Sequence, residues 1–154
     1  MDHVWTVDDG RLAGRCGPQK AAWNLASLKR DGFTAVVSLE CHDPGIEAVT
    51  KAGLRHLKIC VEDFTAPTPE QIEEFNTFVD REIAAGGRVL VHCYAGRGRT
   101  GTMISSYLIR KGLSVEQAVE QVRARILEID GTLAGAIETA QLEALHGFAR
   151  TLRR

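Results

Sequence analysis

The chain has 154 residues and a formal net charge of −1, from 19 basic and 20 acidic side chains. That length suits one hydrophobic core, read here as a single domain over residues 1–154. The charge balance excludes a strongly basic nucleic-acid binder and an acidic disordered tail. No apolar run approaches the roughly 20 residues of a membrane span. The opening MDHVWTVDDGRLAG is polar and acidic, unlike a signal or transit peptide. Cys16, Cys41, Cys60 and Cys93 form no CxxC pair and no zinc-ligand spacing, so all four read as reduced thiols of a cytoplasmic protein.

In chain order, Gln19 to Arg30 is rich in Ala, Leu and Lys and predicts a helix stopping before Asp31-Gly32. Ala35-Val36-Val37-Ser38-Leu39 is short, apolar and β-branched, the pattern of a buried strand. Pro44 to Ala52 predicts a short helix ended by Gly53, and Leu54 to Val61 a second strand. Thr68, Pro69 and Gln71 form an N-cap, a first-turn proline and a capping box, followed by Ile72, Phe75, Val79 and Ile83 at helical spacing. Arg88 to His92 is a third strand. Thr100 to Lys111 predicts a helix with Met103, Ile104, Tyr107 and Leu108 on one face, stopped by Gly112. Ser114 with Gln117 opens another helix, with Val115, Val119 and Val122, and the last carries Ile137, Ala144, Leu145, Phe148 and Leu152. Strands separated by helices imply an α/β fold with a largely parallel central sheet, its faces covered by the three final helices. Trp5 and Trp23 read as packing residues.

Ligands of such sheets bind outside the carboxyl ends of strands. There the chain reads His92-Cys93-Tyr94-Ala95-Gly96-Arg97-Gly98-Arg99-Thr100, between a strand and a helix. Gly96 and Gly98 let the backbone fold tightly, so that the N–H groups of Tyr94 to Gly98 can turn inward as an anion nest. The helix N-terminus adds positive potential. Arg99 offers a planar fork for two phosphate oxygens. Cys93 lies in the same field, which favours the nucleophilic thiolate. Thr100 is placed to donate its hydroxyl to the sulfur.

This segment resembles the signature of cysteine-based protein phosphatases, a Cys followed by five residues, Arg, and Ser or Thr. The likeness extends through Arg11-Leu12-Ala13-Gly14, Val37-Ser38-Leu39-Glu40, Asp63-Phe64 with Pro67-Thr68-Pro69, and Ala136-Ile137-Glu138-Thr139. It is greatest to the small dual-specificity phosphatases. The resemblance implies hydrolysis of phosphomonoesters, on phosphotyrosine and on phosphoserine or phosphothreonine of proteins, through a cysteinyl-phosphate. It implies that His92 orders the loop. It implies Asp63, 30 residues before Cys93, as general acid, with Glu62 the nearest rival and Asp43 a distant one. Glu138 falls where a residue placing the hydrolytic water is expected. Gln141 lies two positions after Thr139 rather than the three of the pattern, and the Arg125–Ala136 stretch is longer than usual.

The expected partner is a phosphorylated protein or peptide, bound by a monomer without nucleic acid, membrane, metal or cofactor. A phosphoinositide phosphatase is the rival enzyme: Ala95-Gly96 and Arg97 match its loop, but Tyr94 replaces its first lysine. A phospho-binding module without turnover and a sulfurtransferase are the other classes weighed. Cys41 follows the Val36–Leu39 strand on the same side as Cys93, which leaves open a protective disulfide between them or an unpaired thiol.

Overall fold

The computed structural model describes residues 1–153. Its sheet has five strands: β1 (Trp5–Val7), β2 (Leu12–Arg15), β3 (Ala35–Ser38), β4 (Arg55–Lys58) and β5 (Val89–His92). They lie in the order β1-β2-β5-β3-β4, and only the β1–β2 pairing is antiparallel. The predicted parallel sheet is therefore present, with β5 at its centre. The first two strands are not predicted. β1 is three residues long, and Gly14 interrupts β2 where an added Cβ would lie 2.3 Å from the Trp5 ring. β4 covers only the middle of the predicted Leu54–Val61 segment.

Six helices surround the sheet: α1 (Leu25–Arg30), α2 (Ile46–Lys51), α3 (Pro69–Ala84), α4 (Arg99–Arg110), α5 (Val115–Asp130) and α6 (Thr139–Thr151). Both predicted capping boxes form. The Thr68 and Ser114 hydroxyls accept from the N–H groups of Gln71 and Gln117, whose side chains accept from the cap N–H groups. The first helix is half the predicted length, because Asn24 caps its start by accepting from the Ser27 N–H. Ile137 lies outside α6, at φ +54°.

The period-2 alternation of the strands sorts the core into two layers. Val89 and Val91 of β5 face α3 to α6 with Ala35, Val37, Phe75, Met103, Ile104 and Leu145, whereas Leu90 faces the other side with Val36, Leu28, Phe33, Val49 and Leu54. The three final helices thus cover one face and not both; the short α1 and α2 cover the other. The even positions of the central strands place Ser38 and His92 on this second face, side by side in the β3–β5 register.

Candidate active site

β5 delivers Cys93 to the carboxyl edge of the sheet, and the loop turns into α4 at its cap residue Gly98. Gly96 makes the turn possible. Its φ is +76°, and a Cβ there would sit 2.4 Å from the carbonyl carbon of Arg15, so only glycine fits. The turn brings the Gly96 N–H to within 3.2 Å of the Cys93 sulfur, and the thiol is buried. The outer side of the loop is held by the Gly17 N–H on the Tyr94 carbonyl (2.9 Å) and by the Trp5 Nε1–H on the Gly96 carbonyl (3.3 Å). Trp5 is thus more than packing.

Arg99 begins α4 and is buried. Its Nη1 donates to the Val61 carbonyl at 3.0 Å, its Nη2 lies 3.4 Å from Asp63 Oδ1, and its Nε has no partner among the described residues. A buried guanidinium N–H left unpaired in the cavity that holds the Cys93 thiol is what an oxyanion would satisfy. Asp63 itself is 55% exposed, on the segment between β4 and α3, and accepts from the Phe64 N–H. A cavity of about 420 Å³ joins these groups; its walls include Asp63, Phe64, Cys93, Tyr94, Ala95, Arg97, Gly98, Arg99, Glu138 and Gln141.

Several expectations need correction. The Thr100 hydroxyl is buried with no hydrogen-bond partner among the described residues; the Gly96 turn puts a backbone N–H on the sulfur instead. The Arg97 side chain is not free for phosphate. Its Nε donates to the Ala134 carbonyl (2.8 Å) and its Nη1 lies 3.6 Å from Asp130 Oδ2. The long Arg125–Ala136 stretch explains this, since it extends α5 to Asp130 and brings the following turn against the loop. A Cβ on Gly98 would meet the Gly135 carbonyl at 2.6 Å. Cys41 pairs with Cys60, not with Cys93, and neither is a reduced thiol; among the described residues Cys16 and Cys93 are the free cysteines. The parallel β3–β4 register sets Ser38 beside Lys58 and carries both chains off the sheet together, leaving the two Cα atoms 4.4 Å apart.

Glu138 is exposed at the cap of α6, on the cavity wall. Gln141, not counted among the site residues, is buried there: its Oε1 accepts from the Glu138 N–H (2.8 Å) and its Nε2 donates to the Thr65 carbonyl (3.4 Å). The Glu138–Gln141 spacing repeats the cap-to-Gln spacing of α3 and α5, a signal that would have marked it. Phe64, at φ +63° and 79% exposed, stands at the cavity mouth and was also missed. Glu62 and Asp43 do not line the cavity; Asp43 accepts from the N–H groups of Gly45 and Ile46, which lower its carboxyl below the usual range. His92 is fully buried, and that burial pushes its ring down to about 4, so it is neutral. Its Nδ1 lies 3.2 Å from the Cys93 carbonyl.

A buried thiol heading a glycine-rich loop, just past the central strand of a mostly parallel sheet, is the layout of the cysteine-based protein tyrosine phosphatases. The family described as polymorphic toxin system, DSP-PTPase phosphatase matches residues 13–113, and the chain belongs to it. The tyrosine-protein phosphatase CDC14 of Candida albicans is 34% identical over 89 residues, covering 57% of this chain and 16% of that protein. The mouse phosphatidylglycerophosphatase and protein-tyrosine phosphatase 1 is 34% identical over 107 residues, covering 66% of this chain and 51% of that protein. The chain thus spans about half or less of the length of these two curated relatives. The crystal structure of Tk-PTP in its active form superposes with a TM-score of 0.80 at 30% identity, over 96% of this chain and 97% of that one.

Proposed function

We propose that this chain hydrolyses phosphomonoesters of proteins, phosphotyrosine together with phosphoserine and phosphothreonine, through a cysteinyl-phosphate. The observation that carries the reading is the convergence, in one cavity, of the Cys93 sulfur, the unpaired Nε of Arg99 and the carboxylate of Asp63. The substrate phosphate enters the loop and takes the Arg99 fork from Asp63. The Cys93 thiolate attacks phosphorus; the S–P bond forms as the ester P–O bond breaks, and Asp63 gives its proton to the departing oxygen. Water then attacks the cysteinyl-phosphate while Asp63 takes its proton, releasing inorganic phosphate and the thiolate. Glu138 and Gln141 stand on the wall where that water would enter.

Arg97 is engaged by Asp130 and Ala134, which leaves Arg99 as the guanidinium facing the loop. That favours a single phosphate group over a doubly phosphorylated ring. Turnover of phosphotyrosine, phosphoserine and phosphoinositide substrates, measured side by side with chelator present, tests the reading. Protein phosphomonoesters are expected to turn over, with inhibition by vanadate, and Cys93→Ser to be inactive. Activity lost to chelator and regained with a divalent metal overturns it.

A further inference from the structure

A chain of hydrogen bonds runs behind the anion loop, away from the cavity. Ser38 Oγ lies 2.5 Å from His92 Nε2 and 2.8 Å from Nε2 of His56, on β4. His92 Nδ1 in turn meets the Cys93 carbonyl at 3.2 Å. His92 is fully buried, His56 is half-buried, and the edge of the Trp23 ring closes over His92 with centroids 5.0 Å apart at 86°.

The proton count in this chain has one consistent solution. A carbonyl only accepts, so Nδ1 of His92 must carry the hydrogen. The ring is neutral because its burial opposes charge, so Nε2 is a bare acceptor. Ser38 has one hydroxyl hydrogen, and it must go to that nitrogen. Ser38 Oγ then has only acceptor capacity left for His56, which must donate from its Nε2–H. Were His56 to accept instead, the Ser38 hydrogen would turn outward. His92 would shift its proton to Nε2, and its Nδ1 lone pair would face the lone pairs of the Cys93 carbonyl.

We infer that His56 is a positioning residue of the active site: by donating to Ser38 it fixes the tautomer of His92, which then grips the first peptide of the anion loop. This goes beyond the proposed hydrolysis and rests on it only for its purpose. His56, on a different strand and outside the cavity, would thereby help set how well the nest is preorganised around the Cys93 sulfur. The charged neighbours are Asp43 and Lys58 around His56, and Arg15, His42 and the buried carboxylate of Glu40 around His92; Glu40 Oε1 and His92 Nδ1 both border the space beside Gly17. None of them is a hydrogen-bond partner of the three side chains.

Two measurements test this without turnover. Nitrogen-15 NMR of histidine-labelled protein at neutral pH is expected to show His92 protonated on Nδ1 and His56 on Nε2. A wild-type His92 protonated on Nε2 overturns the inference. The rate of Cys93 alkylation by iodoacetate is then followed against pH. His56→Leu and Ser38→Ala are each expected to move its acid limb upward by half a unit or more, about threefold less thiolate at a pH below the limb. The double variant should be no worse than either alone. His56→Gln should recover most of the rate, because its amide N–H can donate to Ser38. An unchanged alkylation profile in folded His56→Leu, or fully additive losses, overturns it. Absence of phosphatase turnover with this tautomer pattern and alkylation response intact would sink the proposed function and leave the relay standing.

Discussion

Asp63 and Arg99 face one another across the cavity mouth at 3.4 Å, one half-exposed and the other buried. The difference in exposure suits different tasks: the guanidinium stays fixed by the Val61 carbonyl, while the carboxylate can leave it for a substrate oxygen. If Asp63 is the acid, its loss must depend on the leaving group. Phosphotyrosine departs as a poor phenoxide and needs the proton; an activated aryl phosphate departs as a stable anion and needs it less. Asp63→Asn is therefore expected to cost on the order of 10² to 10⁴ in rate on phosphotyrosine, the usual worth of general acid catalysis, and much less on the activated ester. The basic limb of the pH–rate profile should flatten as well. Equal losses on both substrates with an unchanged basic limb would make Asp63 structural. At this scale the gathering of Cys93, Arg99 and Asp63 around one cavity was legible, because their types and order match a known motif. The partners of Thr100 and Arg97 were not, since they depend on where Gly96 turns the chain and where α5 ends.

The strand–loop–helix unit is held from behind as much as by its own bonds. β2 passes so close that the Arg15–Cys16 peptide occupies the space a Gly96 side chain would need, 2.4 to 2.6 Å from an added Cβ. Those neighbours are backbone and cannot yield cheaply, and the positive φ adds strain. Gly96→Ala is expected to leave the far-UV circular dichroism intact while removing most turnover and vanadate affinity. A fully active Gly96→Ala would show that the loop tolerates a different turn. The Cys41–Cys60 bridge braces the neighbouring strand ends, and Cys60 also accepts from Gln71 through its carbonyl. Its closed loop spans a sequence separation of 19, for which chain entropy gives about 3 kcal/mol. Cys41→Ser with Cys60→Ser should lower the urea midpoint accordingly, and reductant should lower the midpoint of the wild-type protein but not that of the variant. The capping boxes of α3 and α5 were readable because each is a local pattern of four residues. The bridge, β1 and β2 were not, because each exists only once distant segments pair.

Across the whole molecule the carboxyl edge of the sheet carries the open cavity, while the ring of His92 is sealed beside Ser38 and Trp23. Sealing it has a cost that pH can expose. An unfolded histidine takes a proton near pH 6.5, whereas folded His92 does so only near 4, chiefly because burial disfavours the charged ring. Between those values the unfolded chain binds more protons than the folded one, so stability falls as pH falls. The loss begins below about 6.5, is complete below about 4, and amounts to roughly 3 kcal/mol from this one group, at 1.36 kcal/mol per pKa unit. His56, also lowered by burial, acts in the same direction. Glu82 works lower down: its bond to Arg55 holds its carboxyl below the usual range, so its share is lost only as pH drops beneath the ordinary carboxylate value. Urea melts of wild type and His92→Asn between pH 7.5 and 4 separate these contributions, because the amide at 92 cannot titrate while the other groups remain. The variant should be less stable at pH 7.5, where it lacks the ring's packing, but should lose roughly 3 kcal/mol less on acidification. Parallel pH profiles for the two proteins would mean that His92 takes up its proton at the same pH folded and unfolded, so that burial does not oppose its charge.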